Sequence, residues 1–206
     1  RERGEEITRC YGEKEDAAAA CRETVSKMEV SLPQFLVGFK CAAEDADLMR
    51  QSLIGEMACD VLLGDSSPLY QRLYDEGLIN ANFGGGFDQL PGVACLCAGG
   101  ESGHAREVSD AILAEARRLA REGVDPAFFE QVRRASFGAT LRAMNSFENI
   151  AVSLVDGCFR GFDALRFPEV YESIVPADIE RFLRENITEA RRALSIIEPG
   201  KESGPL

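Results

Sequence analysis

The sequence predicts an α+β fold, a mixed and mostly antiparallel sheet with helices packed on one face. Three observations carry that reading. Segments of alternating or continuous apolar character come in pairs, near 25–31 and 34–40 and again near 82–87 and 92–98. Segments with apolar residues every three or four positions come in runs between them. A last strand, "ALSIIE", stands alone near 192–198. Paired strands and grouped helices suit a layered antiparallel sheet, whereas a doubly wound parallel sheet would alternate the two.

Residues 1–20, mostly charged or alanine, read as a linker or peripheral segment, 21–199 as a single domain, and 200–206 as a disordered tail. "TVSKMEVS" and "QFLVGFK" alternate apolar with polar or small residues and are separated by Pro33. From Asp45 the period becomes helical, with Met49, Leu53, Met57 and Val61 on one stripe. In "LLGDSSPLYQRLYDEGLIN", Gly64 reads as a left-handed stop, Ser66 and Ser67 as N-cap hydroxyls and Pro68 as a first-turn residue. Leu69 and Leu73 form the apolar edge of the next helix, and Gly77 ends it. "NANFGGGF" and "GVACLCAGG" follow as strands joined by "DQLPG", the second apolar enough to be central. Helices are then expected from about 104 to 122, about 126 to 143, 146 to 161, 168 to 173 and 177 to 186. The small face Val132, Ser136, Ala139 and Ala143 suits close helix contact. The expected core includes Leu53, Met57, Val61, Leu96, Ile112, Leu154 and Ile196.

Composition narrows function mainly by exclusion. A chain of 206 residues, 45% hydrophobic and 28% charged, is an ordinary globular protein. Its net charge of −12 is wrong for nucleic acid, whose phosphates would repel it. No apolar run reaches the roughly 18 residues of a membrane span. Seven cysteines without a C-x-x-C pair read as reduced thiols, which suits a cytoplasmic protein. Cys95 and Cys97 share a strand face and could at most form half of a metal site.

No catalytic constellation emerges. Gly84-Gly85-Gly86 lacks the G-K-[ST] of a phosphate loop, and Gly99-Gly100 lacks dinucleotide spacing, so both read as flexible strand ends. His104, the sole histidine, begins "HAREV", with valine where a zinc helix needs its second imidazole. No G-x-S-x-G elbow is present, and no carboxylate pair has an apolar setting that would separate two pKa values.

The stretch "GEMACDVLLGDSSPLYQRLYDEGLINANFGGGF" resembles the helix–turn–helix–strand passage of the second, non-catalytic domain of pitrilysin/insulysin-type (inverzincin) zinc metallopeptidases. Leu62, Gly64, Ser66, Ser67, Leu69, Leu73, Asp75, Gly77 and Leu78 carry the match. "PQFLVGFK", "GVDPAFFEQVRRA" and "VPADIERFLRENI" extend it along most of the chain. The passage "SSPLYQRLYDEGLIN" most resembles a bacterial subfamily associated with 5-aminopentanol modification of elongation factor P. The resemblance implies half of a clamshell that encloses a peptide with a catalytic H-x-x-E-H domain, fused or separate, in which zinc is held. It implies no metal, catalytic residue or activity in this chain alone, since Gly55, Ala58 and Cys59 occupy the places of the two histidines and the base. Where active members commonly place an arginine and a tyrosine after the turn, this chain has Tyr74 and Asn80. Asn80, Tyr74 and Phe83 are the expected substrate-binding residues. The alternative implied by the same fold is a scaffold or assembly protein without proteolysis.

Overall fold

The computed structural model describes residues 16–43, 47–90 and 92–200. Five strands form one sheet: β1 (Glu23–Met28), β2 (Gln34–Cys41), β3 (Gly84–Leu90), β4 (Val93–Glu101) and β5 (Arg192–Pro199). Their order is β1-β5-β2-β4-β3, with β1 parallel to β5 and every other pairing antiparallel. The expected α+β class is therefore correct. Strands β1 and β2, neighbours in sequence, are separated in the sheet by the last strand.

The period of two decides which side is covered. Phe35, Val37, Phe39 and Cys41 of β2 alternate inward with Ala94, Leu96 and Ala98 of β4 and with Leu194 and Ile196 of β5, and all are buried. Over them lie α1 (Leu48–Leu63), α3 (Ala105–Glu122) and α7 (Pro176–Asn186), through Met57, Val61, Val108, Ile112, Ile179 and Leu183. Helices α2 (Pro68–Asp75), α4 (Pro126–Ala143), α5 (Phe147–Arg160) and α6 (Phe167–Ser173) complete the described α-helices. An ion pair locks the layer. Arg50 Nη2 donates to Asp178 Oδ2 at 2.6 Å, while the same oxygen accepts the Val175 N–H at the start of α7. Asp178 is buried, so this charged pair ties α1 to α7 where water competes little.

Several local expectations are corrected. Gly64 has φ −61 and ψ 153, not a left-handed conformation; a Cβ there would lie 2.6 Å from the Asp60 carbonyl oxygen, so crowding rather than φ demands glycine. The left-handed residue that ends a helix here is Gly77, at φ 70. "DQL" extends β3, which stays paired with β4 as far as Leu90 opposite Val93, and Gly92 takes the left-handed φ of 80 beside that pair. Within the glycine run only Gly85 is packed tightly: a Cβ there would sit 3.0 Å from both the Cys97 carbonyl oxygen and a Leu63 methyl, while one on Gly84 or Gly86 would meet nothing within 4 Å. Ala139 and Ala143 are exposed, as is Leu154 at 42%, because the far half of α4 and most of α5 project from the core. The linker and tail readings fall outside the described residues for 1–15 and 201–206. Gly200, expected in the tail, donates its N–H to the Met28 carbonyl at 3.0 Å.

Leu69 is buried at the head of α2. Its replacement by alanine is expected to lower stability by about 2–5 kcal/mol, read from the urea midpoint at constant slope; a change near zero would place the side chain outside the core.

Candidate functional site

The passage from α1 through α2 to β3 is built around one buried hydroxyl. Ser67 Oγ donates to the Leu62 carbonyl at 3.2 Å and accepts the Tyr70 N–H at 3.1 Å, so one side chain both closes α1 and caps α2. Ser67 N donates to the Gly64 carbonyl at 2.7 Å, making the break a hydrogen-bonded turn. Leu69 and Leu73 then pin α2 to the core.

Beyond α2, the structure brings the three expected substrate-binding residues into one neighbourhood but gives each a different setting. Tyr74 is half exposed and stacks on Tyr70, rings 6.1 Å apart and 10° from parallel. Tyr70 leans on Phe83, which stacks on Phe35 at 6.2 Å. The four rings run from solvent into the core, with Phe83 and then Phe35 buried at the inner end. Asn80 Oδ1 accepts the Asn82 N–H at 2.9 Å, and Asn80 Nδ2 donates to Glu101 Oε2 at 3.1 Å. Asn82 Nδ2 donates to the same carboxylate oxygen. One N–H of the Asn80 amide is left for another acceptor.

A cleft of about 410 Å³ opens beside the turn, lined by Asp60 and Asp65, the Gly84–Gly85 backbone and Gln131, Val132 and Ala135 of α4. Strand β3 forms its wall and is also the sheet edge, so one side of its backbone ladder pairs with β4 while the other is unpaired with any described strand. Glu56 and Asp60 lie one turn apart on the outward stripe of α1. Both reach solvent, yet neighbouring atoms displace enough water to disfavour their charged forms. Burial, then Asp60, then Asp88 push Glu56 up to about 7; burial and then Asp65 push Asp60 up.

This cleft has no metal-binding chemistry among the described residues. No group of three histidine, cysteine, aspartate or glutamate side chains could hold a metal ion there. Position 55 is sterically closed: a Cβ on Gly55 would fall 2.4 Å from ring carbons of Phe87, which fills the space any larger side chain would need. Phe87 is itself braced edge-on by Phe182 at 5.5 Å. Cys59 lies at the cleft, but burial pushes its thiol up to about 12, so it is not a thiolate near neutral pH. Burial and the adjacent Cys95 push Cys97 up to about 11. His104 stands at the N-cap position of α3 without a side-chain capping bond, exposed and 3.3 Å from Glu107, and is no ligand set. Phe87, Tyr70 and Glu101 were not singled out by the sequence; Phe87 and Glu101 act through partners distant in the chain, which no single-sequence signal marks, whereas the Tyr70–Tyr74 stack is an i,i+4 pair that helical spacing could have found.

The model of the peptidase M16 inactive domain matches residues 8–136. The chain belongs to this family. A second likeness runs past the matched segment: the zinc protease YmfH of Bacillus subtilis, an uncharacterized protein, is 27% identical over 193 residues, which are 90% of this chain and 44% of that protein. The chain thus spans less than half the length of the curated relative it matches. An M16-like peptidase from Alicyclobacillus acidocaldarius shares the fold at TM-score 0.84 and 22% identity, over 91% of this chain and 46% of that one. The inactive peptidase domain of a Bordetella parapertussis zinc protease aligns at TM-score 0.70 and 16% identity, over 87% of this chain and 97% of that one.

Two outcomes test the site's physics. Gly55→Ala is expected to cost about 1–3 kcal/mol by overpacking, and less in a Phe87→Leu background; equal costs in the two backgrounds would show that the ring is not what closes position 55. Glu56, with its pKa raised from 4.5 to about 7, binds its proton more tightly in the folded state. Its contribution is therefore full below pH 4.5 and is lost as pH rises through about 7. Glu56→Gln should raise the melting temperature at pH 8 relative to the parent and make no gain at pH 4. Because the carboxylate reaches solvent, the gain should shrink in high salt. A gain equal at both pH values would mean the carboxylate does not titrate as described.

Proposed function

We propose that this chain forms the non-catalytic wall of a peptide-binding chamber whose other wall is an H-x-x-E-H zinc peptidase half, fused to it or carried by a separate subunit. The observation that carries the reading is the closed position 55: in a domain of a zinc protease family, the place expected for a metal ligand is filled by Phe87. Such a half can still contribute binding. The free edge of β3 offers backbone groups for pairing with an extended peptide, and enclosure excludes bulk water from the partner's metal site.

Within that chamber, Tyr74 supplies an exposed aromatic surface, Asn80 a free amide N–H for a peptide carbonyl, and Phe83 the buried support of the aromatic stack. The proposed domain is 21–199, acting on peptides and not on nucleic acid or membranes. No described helix is long and apolar enough to cross a membrane. The proposal extends to a bacterial, cytoplasmic protein of the inverzincin type, and to the subfamily associated with modification of elongation factor P, on the strength of "SSPLYQRLYDEGLIN".

The purified chain alone is expected to retain no stoichiometric zinc and to hydrolyse no peptide. Elemental analysis finding about one zinc per chain, lost on His104→Ala, would overturn this. In an assembly that cleaves peptides, Tyr74→Ala and Asn80→Ala should each weaken peptide affinity by about 0.5–1.5 kcal/mol. Asn80→Ala also removes the bond to Glu101, so its unfolding midpoint must be measured beside the affinity. If neither variant changes affinity or turnover, the chamber-facing assignment of these residues fails.

A further inference from the structure

Helix α5 is turned inside out. Successive residues of a helix advance by about 100°, which divides α5 into two faces. The face toward the molecule carries Ile150, Ser153, Gly157 and Arg160. Arg160 Nη1 pairs with Asp156 at 3.2 Å, Nη2 reaches the Gln89 carbonyl at 3.4 Å, and Nε is buried without a hydrogen-bond partner. The face toward solvent carries Phe147, Val152, Leu154, Val155 and Phe159. Phe147 is 87% exposed and Phe159 82% exposed. Glu148 is the one charged residue within that arc. A helix stable against water places its apolar stripe inward; this one turns two phenylalanines and three aliphatic side chains to solvent within a length of 14 residues.

We infer that the outward face of α5 is a permanent contact surface for the catalytic half, and this rests on the proposal that such a half exists. The relatives identify the occupant. YmfH and the Alicyclobacillus peptidase each contain more polypeptide outside the matched half than within it, so a body the size of this chain accompanies the inactive half in both. Chemistry agrees. A face with two aromatic and three aliphatic side chains and a single carboxylate complements an apolar protein surface, not a charged ligand. Self-pairing would bring together two chains that each carry −12, and an anionic membrane leaflet would repel the same charge. Position agrees too, since α5 continues from α4, whose first half lines the cleft.

The test compares amide hydrogen exchange in the chain alone and in its assembly with the catalytic half, with Phe147→Asp/Phe159→Asp as the variant. Exchange of residues 147–160 should slow by about tenfold or more on assembly. The double variant should leave the unfolding midpoint of the isolated chain unchanged and weaken assembly by about tenfold or more, as replacement of two aromatic anchors does. Unchanged exchange in α5 within the assembly overturns the inference. So does α5 that is already protected in the isolated chain through a concentration-dependent dimer, which would assign the face to a second copy. An assembly that holds no zinc and cleaves no peptide would instead overturn the proposed function, with α5 protection still deciding the contact.

Discussion

Everything in the candidate site depends on how closely α1 approaches the edge strand. Gly55 admits the Phe87 ring, and Gly85 admits a Leu63 methyl and the Cys59 sulfur from the opposite side. With a side chain at either glycine, helix and strand would separate by something near the width of a methyl group. The cleft floor, the turn at Ser67 and the placement of α2 would all move with them. The interior is close-packed, so such a shift cannot be absorbed locally. The same contact decides chemistry, because the helix face that approaches β3 has no room for an imidazole.

The contrast between rigid and unsupported parts follows from this packing. Around α1 the aromatic ladder from Tyr74 to Phe35 and the Ser67 hydroxyl fix the passage beside the cleft, and the Asp178 ion pair fixes the opposite end of the helix. These are groups whose hydrogen-bonding capacity is met within the domain. Helix α5 is the opposite case, with polar atoms directed inward and phenylalanines outward. A half-enzyme can combine the two: a stiff wall where a peptide must be held in register, and apolar surface whose burial awaits another body.

The fold was legible in the sequence because strands and helices here obey their own periods. Phe35, Val37 and Phe39 alternate, Met57 and Val61 recur one turn apart, and turn chemistry at Ser67, Pro68 and Gly77 marks the breaks. Legibility failed where a residue's role depends on a distant partner. Gly64 and Gly85 were read as freedom of backbone and turned out to be matters of space, since the crowding atoms belong to another turn or another strand. Leu154 was read as core because the period of α5 is helical, but periodicity gives an apolar stripe and not its direction. At the site, Tyr74, Asn80 and Phe83 do gather in one place, while Phe87 and Glu101, which set the limits of what that place can do, carry no local mark.

The sheet order has a consequence for how the molecule comes into being. Strand β1 bonds only to β5 among the described strands, and β5 also fills the position beside β2. Both therefore wait for a segment that leaves the ribosome roughly 170 residues after β1. Until then β2 with β4 and β3 is a three-stranded fragment whose central edge is bare, the geometry most prone to stray pairing with other chains. The closing of this gap by β5 makes the emergence of that strand the event that completes the native sheet of this domain.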